Sequence, residues 1–103
     1  MDRKALERLL AQGTDNPLLR YTLGTVCLKE GAVEEAASHL EEAVRQDPEH
    51  SASWKAYGKA LTALERILEA KTAYERGILV AEAKGDVQAA KEMKVFLKRL
   101  VAK

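Results

Sequence analysis

Apolar residues recur along this chain at the spacing of helices that bury one face and leave the other to water. On a helical wheel Ala89, Ala90, Met93, Phe96, Leu97, Leu100 and Val101 share one arc, while Lys91, Lys94, Lys98 and Arg99 fall outside it. Asp86, directly after Gly85, offers a side-chain acceptor to the first turn of that helix, which is predicted over 86–103. A shorter stripe of Leu6, Leu9 and Leu10 predicts an N-terminal helix from about Asp2 to Gln12.

Between these ends the sequence repeats itself. At an offset of 34 residues Leu23 falls on Tyr57, Gly24 on Gly58, Ala36 on Ala70, Leu40 on Tyr74, Glu41 on Glu75, Ala43 on Gly77 and Val44 on Ile78. A period of this length marks a unit that stacks on copies of itself. The two repeats run over 17–50 and 51–84, within a single domain of 1–103 that also holds the N-terminal helix of 1–13 and a capping helix in 86–103. Each repeat reads as two helices, giving six in all. In the first repeat Gly31 supplies the positive φ of a helix end, and the following helix stops near Gln46-Asp47-Pro48. Gly24, Gly58, Ala36 and Ala70 carry little or no side chain, so paired helices approach closely there. Leucine at position 58 is expected to overpack that contact, and alanine to be much milder.

These residues at this spacing resemble the tetratricopeptide repeat (TPR), whose unit favours Trp, Leu, Gly and Tyr in its first helix and Ala, an aromatic, Ala and Pro in its second. The second repeat offers Trp54, Tyr57, Gly58, Leu61, Ala70, Tyr74 and Gly77; the first offers Leu23, Gly24, Cys27, Ala36, Leu40, Ala43 and Pro48. The likeness covers roughly two thirds of the chain. It implies an all-α solenoid, a short right-handed superhelix of two TPR-like hairpins. Three positions depart from the family: Arg20 replaces a tryptophan, Glu65 the turn glycine and Glu82 the closing proline. With no Gly or Pro between Gly58 and Gly77, one uninterrupted helix over 52–83 rivals the hairpin, whereas the internal echo predicts a break at Leu64 to Arg66.

Composition agrees with helices, since Ala, Leu, Glu and Lys abound and the chain has two prolines. The net charge of +1 sets up no field that draws the whole protein to nucleic acid or an anionic membrane. Charge is instead separated along the chain: 84–103 holds six basic and two acidic residues, and 30–50 holds seven acidic and one basic. Cys27, the single cysteine, excludes an internal disulfide and a cysteine-rich zinc site. The charged N-terminus and the lack of a long apolar run lead to the expectation of a cytoplasmic, soluble protein.

No catalytic or metal-binding constellation emerges. His39, His50 and Cys27 lack helical ligand spacing from one another, and Cys27 stands where the repeat packs a core side chain, which argues against a metal or a nucleophile. Glu34, Glu35, Glu41 and Glu42 read as the solvated face of a helix, and no glycine-rich phosphate loop occurs. The expectation is a protein that is not an enzyme and uses no cofactor.

The resemblance implies a concave groove lined by the first helices of successive repeats. It turns inward Leu18, Tyr21, Thr25, Leu28 and Lys29 from the first repeat, and Ala52, Lys55, Lys59 and Thr62 from the second. Lys55 and Lys59, one turn apart, would hold a carboxylate of an acidic partner protein or peptide; a plain solvated face is the alternative for these positions. Chaperone-binding members carry a clamp of lysines, asparagines and arginine over three repeats, but Tyr21, Thr25 and Ala56 stand at three of its places. The leading expectation is an interaction module, monomeric or weakly dimeric. Self-association through an end face and nucleic-acid binding by the basic C-terminal helix are its alternatives.

Overall fold

This computed structural model describes residues 2–102, and among them six α-helices and no strand occur. They are α1 (Arg3–Ala11), α2 (Pro17–Lys29), α3 (Val33–Gln46), α4 (Ser51–Ala63), α5 (Ile67–Ala83) and α6 (Val87–Val101). α1, α2 and α6 start on a side-chain cap. The Asn16 side chain accepts from the Leu19 amide at 2.8 Å ahead of Pro17, and Asp86 accepts from the Ala89 amide at 3.3 Å.

Four helix ends share one device, a residue of positive φ that lets two amides turn back onto the last carbonyls. After α2, Gly31 has a φ of 78°, and the Gly31 and Ala32 amides donate to the Leu28 and Cys27 carbonyls at 3.1 and 2.9 Å. After α4 the same pair of bonds runs from Glu65 to Thr62 and from Arg66 to Leu61, at 3.0 and 2.9 Å. Here the left-handed residue is Glu65 itself, with a φ of 60°. The chain therefore breaks at Leu64 to Arg66 without a glycine, and the single helix over 52–83 does not form. α3 ends differently: Asp47, forced toward extended backbone by the following Pro48, has a φ of −139°. α5 has Glu82 where a proline would stop it and runs on to Ala83.

α2 packs on α3, α4 on α5, and α6 on α5, while α2, α4 and α6 stand side by side along one surface. The close approach at the glycines repeats with the sequence. A Cβ added to Gly24 would lie 2.6 Å from Leu40 Cδ2, and one added to Gly58 would lie 2.7 Å from both Cδ1 and Cζ of Tyr74. Alanine at 58 is therefore costly as well, if less so than leucine, because the atoms it would strike belong to a rigid ring. Buried Cys27, Ala36 and Leu40 against α4 are matched by buried Leu61, Ala70 and Tyr74 against α6.

The terminal helices bury less than their stripes suggest. Ala90, Met93 and Leu100 are buried in α6, but Val101 is 60% exposed because it is the last helical residue and lies beyond the neighbouring side chains. In α1, Leu6 is buried against Leu19 and Leu23, whereas Leu9 is exposed, since the backbone of α1 lies against α2 alone. Arg3 adds polar ties from α1 to the first hairpin through Glu30 at 3.0 Å and through Glu35.

Candidate functional site

The surface formed by α2, α4 and α6 carries two adjoining hollows. The first, about 430 Å³, is lined by Tyr21, Thr25, Leu28 and Lys29 from α2 and by Ala52, Lys55, Ala56 and Lys59 from α4. Six of the seven groove residues expected from the sequence thus meet in one place. The seventh, Thr62, lies one turn beyond Lys59 in a second hollow of about 310 Å³, shared with Tyr74, Phe96, Arg99 and Leu100. Lys59 lines both hollows.

Leu18 does not join them. It sits 71% exposed beside Leu6, Leu9, Asn16 and Thr22, because at the start of α2 it faces α1 rather than α4. Sequence reasoning also missed Phe96 and Arg99, having placed Phe96 on the core arc and Arg99 outside it. A usable signal existed: Leu28, Thr62 and Phe96 lie at successive 34-residue steps, and all three line the hollows. α6 occupies the place that the first helix of a third repeat would take.

The local chemistry is that of a contact surface. Thr25 donates its hydroxyl to the Thr22 carbonyl at 2.9 Å and Thr62 to the Gly58 carbonyl at 2.8 Å, so each oxygen offers remaining lone pairs to an incoming donor. Tyr21 is fixed edge-on against His50, with ring centres 4.9 Å apart, and His50 shares a 2.6 Å hydrogen bond with Ser53. Lys55 reaches across to α6 and pairs with Glu92 at 2.9 Å, a contact that holds the Glu92 carboxyl below its usual range. Lys55 and Lys59 therefore do not act as an equivalent pair. Lys59 instead lies over the Phe96 ring, 5.2 Å from its centre.

The remaining candidates are structural. Cys27 is fully buried, and burial pushes its thiol up from the ordinary value, away from the reactive thiolate. His39 contacts Arg20 at 3.2 Å, and burial first, then Arg20, lowers its basicity. Glu34, Glu35 and Glu41 are exposed and Glu42 half-buried, and three of the four are engaged: Glu35 pairs with Arg3, Glu42 with Arg45, and Glu41 accepts from the Tyr57 hydroxyl at 3.3 Å. Among the described residues no group of three potential ligands is arranged to hold a metal ion, and no helix is long and apolar enough to cross a membrane.

Comparison with known proteins extends the likeness beyond the repeat pattern. Residues 4–77 match the family model for anaphase-promoting complex, cyclosome, subunit 3. A TPR repeat-containing protein of Pseudomonas aeruginosa is 48% identical over 97 residues, covering 94% of this chain and 92% of the relative. The chain belongs to the tetratricopeptide repeat family. Among solved structures, a protein of Bordetella parapertussis matches this TPR chain with a TM-score of 0.83 and 41% identity, over 99% of this chain and 89% of its own. The second TPR domain of human RPAP3, solved in complex with the HSP70 peptide SGPTIEEVD, matches with a TM-score of 0.73 and 27% identity, over 89% of this chain and 78% of its own. TPR domains are protein–protein interaction modules, and the fold and family here are those of binding proteins rather than enzymes.

Proposed function

We propose that this TPR protein binds an extended acidic segment of a partner protein in the hollow between α2 and α4. The observation that carries the reading is the convergence of Tyr21, Thr25, Leu28, Lys29, Lys55 and Lys59 on one open hollow of about 430 Å³. Tyr21 and Leu28 offer contact area, the threonine oxygen accepts from a peptide amide, and Lys29 and Lys59 make the rim basic, while Lys55 is held by Glu92. The human RPAP3 domain, whose bound peptide contains two glutamates and an aspartate, supports an acidic ligand for this surface. Tyr21, Thr25 and Ala56 at the chaperone-clamp places favour a different peptide from the one that clamp selects.

Ala52→Glu tests the site, because it puts a carboxylate into the hollow while an acid in the first turn of α4 suits the helix dipole. The partner is first captured from the host and then titrated by calorimetry against wild type, Ala52→Glu and Lys98→Glu. The expected result is about tenfold or greater weakening by Ala52→Glu at an unchanged melting temperature, and nearly intact binding by Lys98→Glu on the exposed face of α6. The reverse pattern would move the site to α6.

A further inference from the structure

The second hollow has a chemistry of its own. Its wall is the Phe96 ring, packed on Tyr74 with centres 5.8 Å apart, and its base is Leu100. Two cations share that ring: the Lys59 ammonium at 5.2 Å from its centre and the Arg99 guanidinium at 6.0 Å. Among the described residues neither cation makes an ion pair, whereas Lys55 has Glu92 and Lys94 has Glu82. Bringing two like charges to one aromatic ring is unfavourable by itself, and the ring quadrupole offsets only part of that. A carboxylate held by both would complete the arrangement, with Arg99 able to bind both of its oxygens.

Size and position limit what fits. At about 310 Å³ the hollow has room for a side chain and its neighbouring atoms, and through Lys59 it opens into the first hollow, so a peptide lying in one can reach into the other. We infer that the hollow between α4 and α6 is an anion subsite in which Lys59 and Arg99 hold a carboxylate of the peptide bound in the adjoining groove. An apolar neighbour of that carboxylate packs on Phe96. The inference rests on the groove reading above and deepens it, because it moves the anion contact from the Lys55–Lys59 pair to Lys59 and Arg99. The carboxylate is either a side chain or the free end of the peptide.

A random dodecapeptide library, displayed once with free C-termini and once internally, selects ligands for wild type, Arg99→Gln, Arg99→Lys and Ala52→Glu. Wild type should select a carboxylate next to an apolar residue: Asp or Glu enriched in both formats assigns a side chain, binders recovered in the free-end format alone assign the terminus, and no preference for either overturns the subsite. Arg99→Gln should lose that acidic preference and weaken the selected peptides about tenfold, while Arg99→Lys recovers most of it. Exchanging the selected acid for its amide should weaken wild type by a similar factor and leave Arg99→Gln unchanged. If Arg99→Gln selects the same peptides with the same affinity while Ala52→Glu abolishes binding, the subsite is overturned and the groove stands. If Ala52→Glu leaves selection intact, the groove reading falls and takes the inference with it.

Discussion

Glu65 is the residue at which this sequence strains against its fold. A side chain at a φ of 60° costs about 1 kcal/mol, and glycine avoids that cost at the price of a more flexible unfolded chain. Glu65→Gly is therefore expected to stabilise by about 0.5 kcal/mol, read as a small rise in thermal midpoint; a fall would mean that the glutamate makes a compensating contact. Gly58 works in the opposite sense. Gly58→Ala should cost about 1–3 kcal/mol in a denaturant melt and Gly58→Leu more, since each drives atoms into the Tyr74 ring. An alanine variant as stable as wild type would refute the close approach. Tyr57 carries a pH dependence: burial first, and then Glu41, push its phenol up to about 12. The neutral phenol is favoured in the fold, so this stabilisation is complete below the ordinary phenol value of about 10 and is lost as pH rises through about 12. An absorbance titration should show late phenolic absorbance shared with Tyr74, whose phenol burial also pushes up, and Tyr57→Phe should remove part of it; an undiminished late component in that variant would reassign it.

Among the elements, α6 is the one whose removal says most. Tyr74, Ile78, Ala81 and Leu61 are buried in the same cluster as Ala90, Met93 and Leu100, so deleting 86–103 uncovers one side of the second hairpin. The truncated chain is expected to aggregate or to melt far below wild type, checked by circular dichroism and light scattering. A soluble truncation of equal stability would show that the second hairpin needs no cap. The helices themselves were legible in the sequence because their ends depend on local chemistry: Asn16 with Pro17, Gly31, Asp47 with Pro48, and Gly85 with Asp86. The break at Glu65 was legible only through the repeat, since backbone hydrogen bonding there overrides the residue's preference. Leu18 was misplaced because the family resemblance turned it toward α4 while it faces α1; Leu9 and Val101 were misplaced for a different reason. A helical wheel records direction around an axis and not how far the neighbouring helix extends.

At the scale of the molecule, the candidate groove could be read in part because a 34-residue step carries one helix onto the next. Tyr21, Thr25 and Leu28 map in that way onto Lys55, Lys59 and Thr62. What the sequence withheld was the electrostatics between helices, namely Glu92 drawing Lys55 away and Phe96 gathering Lys59 with Arg99, because these contacts join residues 37 apart or follow from the angle of α6. The same regular step also sets how this protein can grow. Ala90 repeats Ala56, and the buried trio Leu61, Ala70 and Tyr74 repeats Cys27, Ala36 and Leu40. The joint after Lys84 is thus a splice point, where a second copy of 51–84 would meet matching surfaces on both sides. One in-frame duplication would lengthen the groove by a hairpin and leave the last helix in its seat, so the reach of this binding surface is a matter of copy number rather than of redesign.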